Sequence, residues 1–297
     1  MFNLATEEYM FEHMKIVNPV LFLWRNTPTI IMGKHQNPWK ECKVQLLEQD
    51  GVTLARRKSG GGCVYQDLGN SVFSFINPVA EFDKVDFKTM NNDMLLASLK
   101  NGFGIDAHAS GRNDLHVGER KISGSAYKLK LGNKKGEGRR SLHHGTMLLD
   151  LELGALGKYL NPSKAKLESK GVDSVVSRVV NLKEICPEIN HESFCASLEK
   201  EFTHKWSNST KVNVQNLGEE ELRKIPELMD IYKKSSDWAW RFGETPQFTN
   251  SLEKKFPWAL VDFQFNVEKG IIVAGQCFSD CLVPAYIDSI NEIIATG

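Results

Sequence analysis

The sequence predicts a mixed α+β fold, with a large domain over residues 1–241, a linker over 242–249 and a small domain over 250–297. Three observations lead there. Short apolar runs alternate with longer stretches whose apolar residues recur at helical spacing, the pattern of strands interleaved with helices. Near the C-terminus the period drops to two: Val261, Phe263, Phe265 and Val267 alternate with Asp262, Gln264 and Asn266, so one face of a strand is expected to be buried. The 297 residues are 41% hydrophobic and 25% charged, enough for one large core and a smaller one.

Taken in order, MFNLATEEYMFEHM reads as a helix with Leu4, Phe11 and Met14 on one face and Glu7, Glu8 and Glu12 around it. Apolar strands follow over 20–24 and 29–33, then a polar helix over 40–49 and strands over 52–57 and 71–76. Phe87, Met90, Met94 and Ala97 mark one face of a helix, and a stretch rich in glycine and charge covers 111–140. The apolar run 147–149 opens a more helical section. It includes Phe194, Leu198 and Phe202 at i, i+4 and i+8, and a helix with Pro226 in its first turn carrying Leu228, Met229 and Tyr232. Residues 243–247, GETPQ, have linker chemistry. Beyond the alternating strand, Glu268-Lys269-Gly270 supplies a turn and 271–278 the return strand. One hairpin and one helix make a small domain that is short of a full fold.

Composition excludes several classes. The chain has no apolar run of the ~18 residues that a membrane span needs. Its N-terminal segment has no apolar signal core and is acidic where a transit peptide is basic. The six cysteines are scattered, with no C-x-x-C pair, which argues against a disulfide framework or a zinc ribbon and fits a reducing compartment. Lys and Arg total 37 against 37 Asp and Glu, so a general nucleic-acid binder is not expected. The balance is uneven, however. Residues 53–70 hold three cations and one anion, and residues 112–140 hold nine cations and three anions. A local anion site on an otherwise acidic body is the better reading.

Three constellations carry candidate chemistry. In RRKSGGGCVYQD, residues 56–67, three consecutive glycines follow three cations. Such glycines lose much conformational entropy on folding, which needs a close backbone approach or a positive φ. Their N–H groups beside cations make an anion cradle; a tight loop with solvated cations is the alternative. No Walker pattern G-x-x-x-x-G-K-[ST] and no G-x-G-x-x-G occurs. In GRNDLHVGERKISGSA, residues 111–126, Gly118-Glu119 fits a type II′ turn that pairs Val117 with Arg120 and His116 with Lys121. Asp114 then lies diagonally across from Lys121, while Leu115, Val117 and Ile122 take the opposite face. This is either a carboxylate that orients an anion-clamping lysine or an exposed salt bridge. In His143-His144-Gly145-Thr146 the adjacent histidines must point to opposite faces, so at most one reaches a site. The basic stretch KLKLGNKKGEGRR, residues 128–140, reads as a solvated, mobile loop.

These blocks together resemble the lipoate–protein ligase A family. The resemblance rests on LFLWRN, GKHQNPWKEC, ARRKSGGGCVYQDLGN, SGRNDL, RKISGSAYK and HHGTMLL. It continues through YLNPSKAKL, KGV-S-V-SRV-NL and SDWAWRFG, so it covers nearly the whole chain. It implies a catalytic domain like those of biotin ligases and class II aminoacyl-tRNA synthetases, with a small C-terminal α/β accessory domain. It also implies a strand ahead of Phe2 and an accessory domain extending beyond the last residue. The implied reaction joins lipoate and Mg²⁺-ATP into lipoyl-AMP and pyrophosphate. The lipoyl group then passes to a lysine of a lipoyl domain, in 2-oxo acid dehydrogenase complexes or the glycine-cleavage H protein. By the same resemblance Arg57, Gly62, Cys63, Val64 and Tyr65 contact ATP. Lys121 meets both the nucleotide phosphate and the lipoate carboxyl, and Asn70, Asp114 and His144 line the lipoate pocket with Arg57. Val64, Val72 and Phe73 are expected to wall the acyl tunnel. The implied enzyme is a monomer without a resident metal, cytoplasmic if bacterial and in the mitochondrial matrix if eukaryotic.

Two alternatives remain open at this level. A transferase on the same scaffold passes on an octanoyl or lipoyl group without ATP, through a cysteine acyl-enzyme or from preformed lipoyl-AMP; Cys63 is the cysteine nearest the motifs. A non-catalytic lipoyl-domain or nucleotide-binding module would have lost Arg57 or Lys121, and both are present.

Overall fold

The computed structural model describes residues 1–79, 86–111, 113–133, 138–161, 179–206, 212–242, 248, 250–269 and 271–296. Its helices there are α1 (Phe2–Glu12), α2 (Pro38–Glu41), α3 (Val44–Gln49), α4 (Phe87–Phe103), α5 (Gly154–Tyr159), α6 (His191–Trp206), α7 (Glu219–Leu222), α8 (Pro226–Ser236), α9 (Trp238–Phe242) and α10 (Pro284–Thr296). The strands are β1 (Val20–Trp24), β2 (Thr29–Met32), β3 (Thr53–Arg56), β4 (Val64–Gln66), β5 (Asn70–Pro78), β6 (His108–Ser110), β7 (Asp114–Val117), β8 (Arg120–Lys130), β9 (Arg140–Leu148), β10 (Asn250–Lys255), β11 (Leu260–Glu268) and β12 (Ile271–Ser279). The chain divides into two compact units.

The first unit comprises Met1–Thr27, Gln66–Leu153 and Asp173–Lys233. It holds a six-stranded sheet in the order β1-β5-β9-β8-β7-β6, antiparallel at every pairing. The central strands β5 and β9 are buried almost throughout, which accounts for their near-continuous apolar and small residues. On one face Phe73, Phe75 and Met147 pack with Met94, Leu95 and Leu99 of α4 and Phe194, Leu198 and Phe202 of α6. On the other, Met10 and Phe11 of α1 cover Ile76 and Leu142.

Several expectations change here. Because side chains alternate along a strand, Val72 and Phe73 take opposite faces, and Phe73 belongs to the α4–α6 core rather than to a tunnel with Val72. The buried face of α4 carries Asn91, Met94, Leu95, Ser98 and Leu99, rotated from the stripe of Phe87, Met90 and Ala97. The run 147–149 ends strand β9 instead of opening a helix. In α1 the buried residues include Glu7, whereas Met14 lies exposed beyond the helix. The α6 spacing reads as expected, with Phe194, Leu198 and Phe202 all buried.

The second unit comprises Pro28–Tyr65, Gly154–Val172 and Lys234–Gly297. One of its sheets has the order β3-β2-β4, with β2 and β3 parallel. The polar helix expected over 40–49 is two helices, interrupted at Cys42, which bridges to Leu160. Its second sheet, β10-β11-β12, is covered by α10, whose Ile287 packs with Ala259, Cys277 and Cys281. The C-terminal part thus has three strands rather than one hairpin. The polar, exposed β10 offers no apolar alternation from which it might be read. Within β11 the most buried residue is Asp262, held by Lys40 Nζ at 3.0 Å, so the alternating apolar side chains are only partly covered. Of the linker expected over 242–249, residues 243–247 and 249 lie outside the described residues, as do Arg112, residues 134–137 of the basic stretch and the block over 162–178.

Candidate active site

The β7–β8 hairpin begins as its turn residues dictate. Gly118 has φ +56° and Glu119 has no positive φ, as a type II′ turn requires. Val117 pairs with Arg120 and His116 with Lys121. A bulge between Leu115 and His116 then shifts the register, so that Leu115 opposes Ser123 and Asp114 opposes Gly124. The result is an ion pair, Lys121 Nζ to Asp114 Oδ1 at 2.8 Å. Leu115 and Ile122 are buried in the opposite face. Gly124 makes room for the pair: a Cβ there would lie 2.8 Å from Lys121 Nζ and 3.0 Å from its Cε.

Strand registers define what shares this face. One row across the sheet runs Trp24, Val72, Thr146, Gly124 and Asp114, and the next runs Phe22, Ser74, His144 and Ala126. Asn70 precedes Val72 by one full period on the same strand. Its amide is buried, and neither its oxygen nor its nitrogen has a hydrogen-bond partner among the described residues. Such a group costs about 1–3 kcal/mol unless a ligand or water satisfies it.

His144 is clamped from α1. Its Nδ1 lies 2.8 Å from Glu7 Oε1, Ser74 Oγ donates to Glu7 Oε2 at 2.5 Å, and Trp24 Nε1 donates to Ser74 Oγ at 3.2 Å. Glu7, Ser74 and Trp24 carried no sequence signal for this role, since an acid on an amphipathic helix reads as a solvated face. His143 points the other way, as adjacency demands. Burial pushes it down to about 3, so it stays neutral among Tyr127, Phe73 and Phe75.

The glycine loop, in the second unit, is organised by its cations. Arg57 donates to the carbonyls of Ile31, Gly60 and Gly62 and to Ser59 Oγ at 2.7–3.2 Å. Arg56 donates to the carbonyls of Lys34, Gln36, Trp240 and Arg241. Burial lowers its guanidinium to about 10, so it remains charged at neutral pH. Lys58 Nζ sits 3.5 Å over the Trp240 ring. None of these cations is the freely solvated charge of a simple loop.

Two of the three glycines serve the chain itself. A Cβ on Gly60 would stand 1.9 Å from the Cys281 carbonyl oxygen, and Gly61, at φ +91°, donates its N–H to that carbonyl at 3.1 Å. Gly62 is the open one, where a Cβ would meet nothing closer than Gln36 Oε1 at 3.9 Å. Beyond it, Cys63 Sγ lies 4.0 Å from Cys42 Sγ. That hydrogen bond, with burial, raises the Cys63 thiol well above its usual value. Val64 is half-buried, and the buried Tyr65 ring stacks on Tyr159 at 5.8 Å.

The family model of the lipoyl protein ligase A/B catalytic domain matches residues 1–203. The chain belongs to this family. A second model, the bacterial lipoate protein ligase C-terminus, matches residues 245–295 of this family member. Among solved structures, Plasmodium falciparum LipL1 in complex with lipoate is 38% identical, covering 98% of this chain and 85% of its own, with a TM-score of 0.81. A bipartite lipoate protein ligase from Thermoplasma acidophilum, solved in work on that ligase and its E2 lipoyl domain, is 26% identical over 84% of this chain and 94% of its own, with a TM-score of 0.69. Lipoate-protein ligase A bound with ATP shares the fold at 23% identity and a TM-score of 0.66, covering 82% of this chain and 93% of its own.

In this lipoyl protein ligase family member the basic stretch is largely structural. Lys128 pairs with Glu8 and Glu12, Lys130 pairs with Glu12, and Arg140 donates to the carbonyls of Phe11 and Met14. Residues 128–130 and 140 of the expected mobile loop are therefore strand, and their cations fasten it to the N-terminal segment. No helix among the described residues is long and apolar enough to cross a membrane. No group of three or more His, Cys, Asp or Glu among them is arranged to hold a metal ion.

Proposed function

We propose that this chain activates lipoate with ATP as lipoyl-AMP, releasing pyrophosphate, and transfers the lipoyl group to a lysine of a lipoyl domain or of the glycine-cleavage H protein. The observation that carries this reading is the Asp114–Lys121 pair over Gly124, on the face where the buried Asn70 amide is unsatisfied. Adenylation brings a carboxylate against the α-phosphate, so a fixed cation must offset their repulsion and stabilise the developing charge. Lys121 supplies it, and Asp114 aims its ammonium. Asn70 offers both a donor and an acceptor.

From the Gly124 row to the Ala126 row the sheet advances about 7 Å, two residues of strand rise. This is the scale of a short acyl chain. Val72, Thr146 and Ala126 make its floor, and the Trp24–Ser74–Glu7–His144 group closes the end. In the glycine loop, Gly62, Cys63, Val64 and Tyr65 take the nucleotide, with Arg57 holding the loop's shape. Mg²⁺ enters with the ATP phosphates as part of that substrate. Residues 250–297 act as the accessory domain. In the second step the acceptor lysine amine attacks the mixed anhydride and AMP leaves, so no enzyme nucleophile is needed. A Cys63 thiol raised by Cys42 and by burial is a poor nucleophile at neutral pH, which weighs against a cysteine acyl-enzyme. The lipoate in the LipL1 complex and the lipoyl domain named with the archaeal ligase support the substrate and acceptor classes.

The test is incubation with lipoate, Mg²⁺-ATP and an apo lipoyl domain, following pyrophosphate and acceptor mass. Lipoate-dependent pyrophosphate release with one lipoyl group gained by the acceptor is expected. Transfer from supplied lipoyl-AMP without any pyrophosphate release would reduce the activity to that of a transferase.

A further inference from the structure

Six cysteines occur in this chain, none of them in a disulfide among the described residues, and two of their sulfurs meet at the glycine loop. Cys42 closes α2, where its N–H donates to the Pro38 carbonyl at 3.0 Å and its backbone bridges to Leu160. Cys63 follows Gly62, whose carbonyl accepts from Arg57 at 2.9 Å. The two Sγ atoms are 4.0 Å apart, in contact across 21 residues of sequence. Cys277 and Cys281, the nearest pair in sequence, instead direct their sulfurs to backbone groups of Phe278 and Val283. Cys195 lies by Ser71 and His191.

We propose that Cys42 and Cys63 form an oxidative modification site, in which a peroxide joins them as a reversible disulfide and so deforms the glycine loop. The balance is simple. One sulfur of the pair attacks the peroxide O–O bond, giving a sulfenic acid and releasing water. The other thiol then attacks that sulfur, an S–S bond forms, the S–O bond breaks, and a second water leaves. Two thiols are oxidised and one hydrogen peroxide is reduced.

Closing a 4.0 Å contact to an S–S bond of about 2.05 Å requires movement of about 2 Å. Cys42 is anchored at a helix end, so Cys63 moves. Gly62, with open space on its Cβ side, is where the backbone gives way. The hydrogen bond to Cys42 and burial hold the Cys63 thiol protonated at rest. The effect on nucleotide binding rests on the role given above to the glycine loop; the cross-link does not.

The test treats the full chain with hydrogen peroxide, alkylates the remaining thiols, and maps peptides without reductant. A Cys42–Cys63 linked peptide is expected, with ATP affinity lowered about tenfold or more and restored by dithiothreitol. Cys42→Ser, and Cys42→Ala as a second variant, should bind ATP like the untreated protein and ignore peroxide. Six thiols still alkylatable after treatment, a linkage elsewhere, or an equal loss of affinity in both variants would overturn the proposal. A Cys42–Cys63 link that leaves ATP affinity intact would uphold the site and count against the nucleotide role of the loop.

Discussion

In the β7–β8 hairpin, Lys121 keeps about a third of its side chain exposed and leans on one carboxylate, Asp114, at 2.8 Å. In the glycine loop, Arg57 is 8% exposed, and its guanidinium spreads over the carbonyls of Ile31, Gly60 and Gly62. Both lie in segments with a positive excess, yet their chemistry differs. A partly exposed ammonium paired with a carboxylate can meet an incoming anion at little structural cost. A buried guanidinium whose donors already hold backbone oxygens shapes the loop that others use. Excess charge in a sequence therefore marks where cations are needed without telling which of them are available.

The largest expected effect separates the two roles. Lys121→Ala should lower lipoyl-AMP formation by about a thousandfold while leaving stability within about 1 kcal/mol of the parent, measured by pyrophosphate release and urea titration. Arg57→Ala should reverse that emphasis. Three carbonyls lose their donor, and folding stability should drop by about 3 kcal/mol or more, read from the same titration. A stable Arg57→Ala would break the comparison. Gly124→Ala sharpens it, since a Cβ 2.8 Å from Lys121 Nζ must displace the flexible end of that side chain. One to two orders of magnitude in kcat/KM are expected, with melting almost unchanged.

The smallest effect, taken per pH unit, concerns the histidine on the other face. His143 sits at about 3 when folded against an ordinary 6.5, so between those values the unfolded chain binds a proton that the folded one refuses. Stability should fall on acidification from pH 6.5 towards 3, by at most about 1.4 kcal/mol per pH unit. His143→Phe should flatten that part of the profile.

Much of the candidate site was legible in the sequence. Gly118-Glu119 sets the hairpin turn, and with it the meeting of Asp114 and Lys121. Adjacency alone sends His143 and His144 to opposite faces. The blocks that resemble lipoate ligases up to residue 182 lie within the segment that the catalytic-domain model matches, whereas SDWAWRFG at 236–243 falls between the two matched segments. What escaped depends on long-range partners. Glu7 reaches His144 across 137 residues, and nothing local distinguishes it from a solvated acid. Lys128 and Lys130 look free because their partners lie on α1. The glycines of 60–62 do need close approach, but for Gly60 and Gly61 the visitor is the Cys281 carbonyl. Placing Phe73 beside Val72 followed adjacency where the strand period of two separates them.

The most direct test is lipoate-dependent exchange of pyrophosphate into ATP by Lys121→Ala, with its folding verified. Lys121 as the acting cation predicts that exchange falls to background while the variant melts like the parent. Exchange at the parent rate would contradict it.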